Sequence, residues 1–293
     1  MLKGSIVALV TPFENNNNEI NIEKLKSLID WHIENSTDGI LVCGTTGESA
    51  TLSHEEHKKI IQIAVEHAKK RIPILAGCGS NSTKEALDLT KFAENVGADY
   101  ALIITPYYNK PSQKGLYQHY KTIADSVSIP IIMYNVPSRT GTNLLPDTVL
   151  NIYKDCGNII GVKEASGCLD QITNIMTLVD DNFLLFSGSD ETTLPILAVG
   201  GVGGISVIAN IMPKENHNLI KNFLDGNLIE AKRIQLYLYE MIKCLFVDTN
   251  PVPVKTSLNL MEKIELNLRL PLYKMSDNNI KKLTECLKKY NLI

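Results

Sequence analysis

Lys163 is the residue around which chemistry gathers first. It lies in the run Ile159-Ile160-Gly161-Val162-Lys163-Glu164. An ammonium taken out of water is costly unless paired, so a lysine packed inside such a run lowers its pKa instead. The resulting neutral amine is a nucleophile that forms Schiff bases with carbonyl compounds. The alternative is a structural ion pair with an acid such as Glu164. Tyr134, in Pro130-Ile131-Ile132-Met133-Tyr134-Asn135, offers a phenol that can donate and accept a proton, or simply fills a core. The turn Gly44-Thr45-Thr46-Gly47-Glu48 presents hydroxyls and backbone N–H groups suited to a small carboxylate. Arg139 could fork onto a second carboxylate, or sit on the surface. His54-Glu55-Glu56-His57 is not an HExxH zinc motif and has no evident third ligand; its acids suit a helix N-terminus.

These residues need elements to hold them. Eight short apolar runs recur, at 5–10, 39–44, 73–78, 100–105, 130–135, 159–164, 183–188 and 204–209. Lys163 is the only lysine within them. Most are continuously apolar, as in parallel strands covered on both faces. Amphipathic stretches follow them: Ile22, Leu25, Ile29 and Ile33 keep a helical step, and so do Ile60, Ile61, Ala64, Val65 and Ala68. Ser53-x-x-Glu56 and Ser82-x-x-Glu85 read as capping boxes. The pattern predicts an α/β fold, a (β/α)8 TIM barrel over residues 1–225, with a helical region at 226–293. A doubly wound sheet is the alternative, but it usually carries GxGxxG after its first strand, where this chain has Val10-Thr11-Pro12-Phe13. The helical region reads as a three-helix appendix, at about 228–246, 254–263 and 277–290. Strand C-termini, where barrels of this kind place their chemistry, collect Thr45-Thr46, Asn81, Tyr107-Tyr108, Tyr134, Lys163 and Ser187 to Asp190.

The 293 residues are 44% hydrophobic and 21% charged, with a net charge of -3. That balance argues against partners such as nucleic acid or an anionic membrane surface, which need clustered positive charge. Six cysteines, with no CxxC, argue against a disulfide framework or a zinc cluster. The N-terminal apolar run is too short for a signal peptide. Thr192 to Pro213 carries no charged side chain, but its glycines break it into helix, turn and buried strand. A cytoplasmic, soluble protein is the expectation.

GTTGESATLSHEEH (44–57), TPYYNKPSQKGLYQHY (105–120), YNVPSRTG (134–141) and GVKEASG (161–167) together resemble the dihydrodipicolinate synthase family of pyruvate-dependent aldolases. The resemblance runs from Gly4 to Lys255. It implies condensation of pyruvate with L-aspartate 4-semialdehyde, the first committed step of lysine and diaminopimelate biosynthesis, with no metal or organic cofactor. Lys163 then forms the Schiff base, with Tyr134, Thr45 and Tyr108 as a proton relay, Tyr108 reaching in from a neighbouring subunit. Thr46 binds the pyruvate carboxylate, Arg139 receives the semialdehyde carboxylate, and Gly188 and Ile205 line the pocket. An inhibitory L-lysine site maps onto Ser49, Ala50, Leu52, His54, His57, Asn81, Glu85 and Tyr107. The resemblance also implies a homo-oligomer, commonly a tetramer built as a pair of dimers. An N-acetylneuraminate lyase or keto-sugar-acid aldolase of the same superfamily is the rival reading, against which Arg139 and the paired tyrosines argue. A barrel that only senses lysine is a third, and retention of all four relay and Schiff-base residues argues against it.

Overall fold

The computed structural model describes residues 2–15 and 18–293. Among them eight parallel strands close in sequence order into a barrel: β1 Gly4–Ala8, β2 Gly39–Val42, β3 Ile74–Gly77, β4 Tyr100–Ile104, β5 Ile131–Asn135, β6 Ile159–Glu164, β7 Leu184–Ser187 and β8 Gly203–Ser206. Nine helices accompany them: α1 Ile22–Glu34, α2 His54–Ala68, α3 Thr83–Asn95, α4 Gln113–Ala124, α5 Pro137–Thr140, α6 Pro146–Asp155, α7 Leu169–Leu178, α8 Thr193–Ala198 and α9 Pro213–Leu224. Three more, α10 Leu228–Cys244, α11 Val252–Leu260 and α12 Asp277–Lys289, form the C-terminal region. The predicted TIM barrel with helical appendix is the observed architecture. No helix of the described residues is long and apolar enough to cross a membrane.

Strand alternation sorts the runs into two apolar layers. Ile6, Leu41, Leu75, Leu102, Ile132, Phe186 and Ile205 fill the barrel interior. Val7, Val42, Ala76, Met133 and Val162 face outward onto the helices. Both layers are buried, which is why the runs read as continuously apolar. In β6, Lys163 stands in register with Tyr134 on one side and Phe186 on the other, both interior positions. Its side chain therefore points into the barrel and that of Glu164 points out. Gly161 shares the inward direction, where a Cβ would lie 2.0 Å from the backbone oxygen of Leu184.

Three expectations need correction. The eighth strand is Gly203–Ser206 rather than 204–209, and one turn of 3-10 helix follows at Ile208–Asn210. The Asp190 carboxylate accepts from the N–H groups of Val207 (3.0 Å) and Ile208 (2.9 Å), drawing the chain off the ladder. The first strand likewise ends at Ala8, and the N–H of Val10 donates to the Asn210 side chain. Ser53 and Glu56 make both bonds of a capping box, but Ser82 and Glu85 make only one. The Glu85 carboxylate is held instead by the Ser80 hydroxyl at 2.7 Å.

Gly161→Ala is expected to force β6 and β7 apart. Overpacking of a closed core costs about 1–3 kcal/mol, which at about 2–4 °C per kcal/mol lowers the melting midpoint by roughly 2 °C or more. Thermal unfolding followed by circular dichroism checks this; an unchanged midpoint would contradict it.

Candidate active site

At the C-terminal mouth of the barrel the Lys163 side chain is only 5% exposed, with Nζ 4.2 Å from the centre of the Tyr134 ring. Burial lowers its pKa to about 7; the buried Asp190 carboxylate opposes that shift and Arg139 adds to it. About half of the amine is thus neutral and nucleophilic at pH 7. Glu164 is not its partner. On the opposite face of β6 that carboxylate accepts from Asn135 Nδ2 (3.1 Å) and from the Ser166 N–H (2.6 Å), so the ion-pair alternative falls.

Tyr134 is equally enclosed. Burial raises its pKa, while the Arg139 charge and a hydrogen bond with Thr45 oppose the rise. The phenol and the Thr45 hydroxyl stand together beside the amine, an arrangement able to pass a proton. Thr46 is buried, and its hydroxyl oxygen accepts from Asn250 Nδ2 at 3.0 Å. Arg139 stands at the exposed rim, where its Nη2 donates a 3.4 Å bond to the Asn250 carbonyl.

These groups open onto a cavity of about 750 Å3. Lys163, Tyr134, Thr45, Thr46, Arg139 and Gly188 line it, and so do Ser49, Ala50, Leu52, His54, His57, Glu85 and Tyr107. Seven of the eight residues expected to form a lysine site therefore continue the wall that bears the amine. His57 is buried with Nε2 2.6 Å from the Gly77 carbonyl, and burial lowers its pKa. No group of three or more His, Cys, Asp or Glu side chains among the described residues is placed to hold a metal ion. Three expected residues lie off the wall. Ile205 is fully packed in the interior layer, and Asn81 accepts from Asn109 through its backbone carbonyl. Tyr108 is 88% exposed, with φ 70°, so within one chain it does not join Lys163.

The C-terminal region holds the site as well as flanking it. Phe246, Thr249, Asn250, Pro251, Pro271 and Leu272 line the same cavity. Lys255 of α11 makes a fully buried ion pair with Glu48 at 2.5 Å. Burial lowers the pKa of this lysine and Glu48 opposes that shift. Neither Asn250 nor Lys255 stands out by strand pattern, because both lie outside the eight runs. The visible signal is a lysine inside the apolar, proline-rich stretch Pro251-Val252-Pro253-Val254-Lys255.

The sequence model of the Dihydrodipicolinate synthetase family matches residues 1–290. A 4-hydroxy-tetrahydrodipicolinate synthase of Geobacter sp. (strain M21) is 52% identical, the match covering 100% of both chains. The chloride-inhibited dihydrodipicolinate synthase of Acinetobacter baumannii, solved complexed with pyruvate, superposes with a TM-score of 0.97 at 42% identity, covering 100% of both chains. The enzyme of Cyanidioschyzon merolae, solved with lysine bound, gives a TM-score of 0.97 at 37% identity over 100% of this chain and 99% of that one.

The Lys163 amine is neutral above its pKa, so its reaction with a small carbonyl compound, trapped by borohydride, should accelerate about tenfold between roughly pH 6 and pH 8 and then level off. A rate that keeps rising to about pH 10 would mean an ordinary lysine.

Proposed function

Because this chain belongs to the dihydrodipicolinate synthetase family, we propose that it is a lyase that condenses pyruvate with L-aspartate 4-semialdehyde to 4-hydroxy-tetrahydrodipicolinate. The observation that carries the reading is the buried Lys163 amine set against Tyr134 beside Thr45. Lys163 Nζ attacks the carbonyl carbon of pyruvate, and water leaves to give an imine. Loss of a methyl proton gives the enamine, whose carbon attacks the aldehyde carbon, and the new alkoxide takes a proton from the Tyr134 phenol. The amine of the semialdehyde then attacks the imine carbon and expels Lys163, closing the ring. Tyr134, Thr45 and Tyr108 carry the protons. Thr46 holds the pyruvate carboxylate, Arg139 the semialdehyde carboxylate, and Gly188 lines the wall while Ile205 packs in the layer beneath it.

The exposure of Tyr108 supports a homo-oligomer in which this tyrosine completes the site of a second copy, within a tetramer made of two dimers. Residues 1–225 form the catalytic barrel and 226–293 its helical region, and the enzyme works in the cytoplasm. L-lysine inhibits by binding along Ser49, Ala50, Leu52, His54, His57, Asn81, Glu85 and Tyr107. The lysine-bound relative and the position of Glu85 on the cavity wall, its carboxylate bonded to Ser80 rather than to the helix cap, support that site.

Incubation with pyruvate and borohydride should add one pyruvate-derived mass to the peptide bearing Lys163. Lys163→Ala should abolish both the adduct and the condensation. Cleavage of N-acetylneuraminate with no turnover of aspartate semialdehyde would overturn the substrate assignment. Millimolar L-lysine should lower initial rates, and Glu85→Gln should raise the half-inhibiting concentration about tenfold or more, since a hydrogen bond to a charged group is worth about 1.5–3 kcal/mol. Rates indifferent to lysine would remove the inhibitory site.

A further inference from the structure

The turn that presents Thr45 and Thr46 is bounded by two non-glycine residues in left-handed conformation, Cys43 with φ 54° and Glu48 with φ 56°. Residues with a Cβ adopt that conformation at a cost, which the contacts around this buried turn must offset. Some of the constraint is local: the Glu48 N–H donates to the Thr45 carbonyl at 3.1 Å, and the Thr11 hydroxyl to the Gly47 carbonyl at 2.7 Å. The rest comes from more than 200 positions away. Lys255 Nζ lies 2.5 Å from one Glu48 carboxylate oxygen, and the Arg269 N–H lies 3.3 Å from the other. Lys255 and Arg269 both stand against the Phe13 ring, at 4.3 and 4.2 Å.

We propose that Lys255, acting through Glu48, is a positioning residue for the Thr45 and Thr46 hydroxyls. Stability does not account for the pair. A buried ion pair is commonly no better for stability than two well-packed apolar side chains, because desolvation consumes the attraction. What it supplies is direction: two charges with no exposure hold the end of the turn at one distance and one angle. The Asn250 contact has the same sense. Thr46 Oγ1 already accepts from Asn250 Nδ2, so its own proton is available to a ligand. Misplacement of a catalytic group by about 1 Å costs on the order of a hundredfold in rate. The inference rests on the roles proposed above for Thr45 and Thr46.

The test uses the full chain carrying Glu48→Gln with Lys255→Met, which removes both buried charges and leaves neither alone. The variant should melt near the parent and still form the pyruvate adduct on Lys163. Its kcat should fall about tenfold or more and its KM for pyruvate rise, while the KM for aspartate semialdehyde, held by Arg139, stays within about twofold. Thr45→Val should then cost far less in this background than in the parent, since the two changes disable one device. Parental kcat and pyruvate KM, or a Thr45→Val loss that simply multiplies, would overturn the proposal. Should the double variant fail to fold, Glu48→Gln alone decides by the same KM-against-kcat split. Failure of both to fold would make the pair a folding element and overturn the proposal too. A parent that forms no adduct would instead overturn the role of Lys163, so the two failures are distinguishable.

Discussion

The desolvation of one amine is the constraint on which the rest of the structure depends. Lys163 has pKa about 7 because a closed barrel packs apolar side chains under and around it. Bulk water would return the amine to the ordinary lysine range and leave it almost wholly protonated at neutrality. The eight strands thus do more than position the group. They create the medium that lowers its pKa, to which the buried interior residues Phe186 and Ile205 belong.

Around that amine the electrostatics are arranged in opposition. Asp190 favours the charged form and Arg139 the neutral one, and both follow strand ends, Arg139 within α5 and Asp190 at the start of a 3-10 turn. Glu164, the acid nearest in sequence, has no share in this balance. It is turned through the sheet and held by Asn135 and Ser166. Its burial raises its own pKa while leaving the amine alone. The C-terminal region closes the arrangement by gripping the 44–48 turn through Asn250, just before α11, and Lys255 within it.

Legibility followed from how far each residue's meaning depends on distant chain. Lys163 could be read directly, because a lysine within a continuously apolar strand announces its own desolvation. Thr45, Thr46 and Arg139 follow strand ends, and strand ends in such a barrel converge. Glu85 misleads, since Ser-x-x-Glu describes a cap equally well, and only Ser80 determines where the carboxylate goes. Lys255 carries the same signal as Lys163, a charge in an apolar stretch, but its partner Glu48 lies across the molecule. No spacing rule links positions 48 and 255.

The sequence by itself determined the barrel, the motifs and the amine, because strand periodicity and burial are local properties that recur at each repeat. Tertiary structure decided which way each polar side chain faces and what it meets. It turned Lys163 inward and Glu164 outward, brought Ser49, His57, Glu85 and Tyr107 onto the wall that bears the amine, and left Tyr108 exposed. The physical reason is that one residue of strand register, or one long-range hydrogen bond, changes a side chain's environment from water to core. Nothing in the residue's own neighbourhood records that choice.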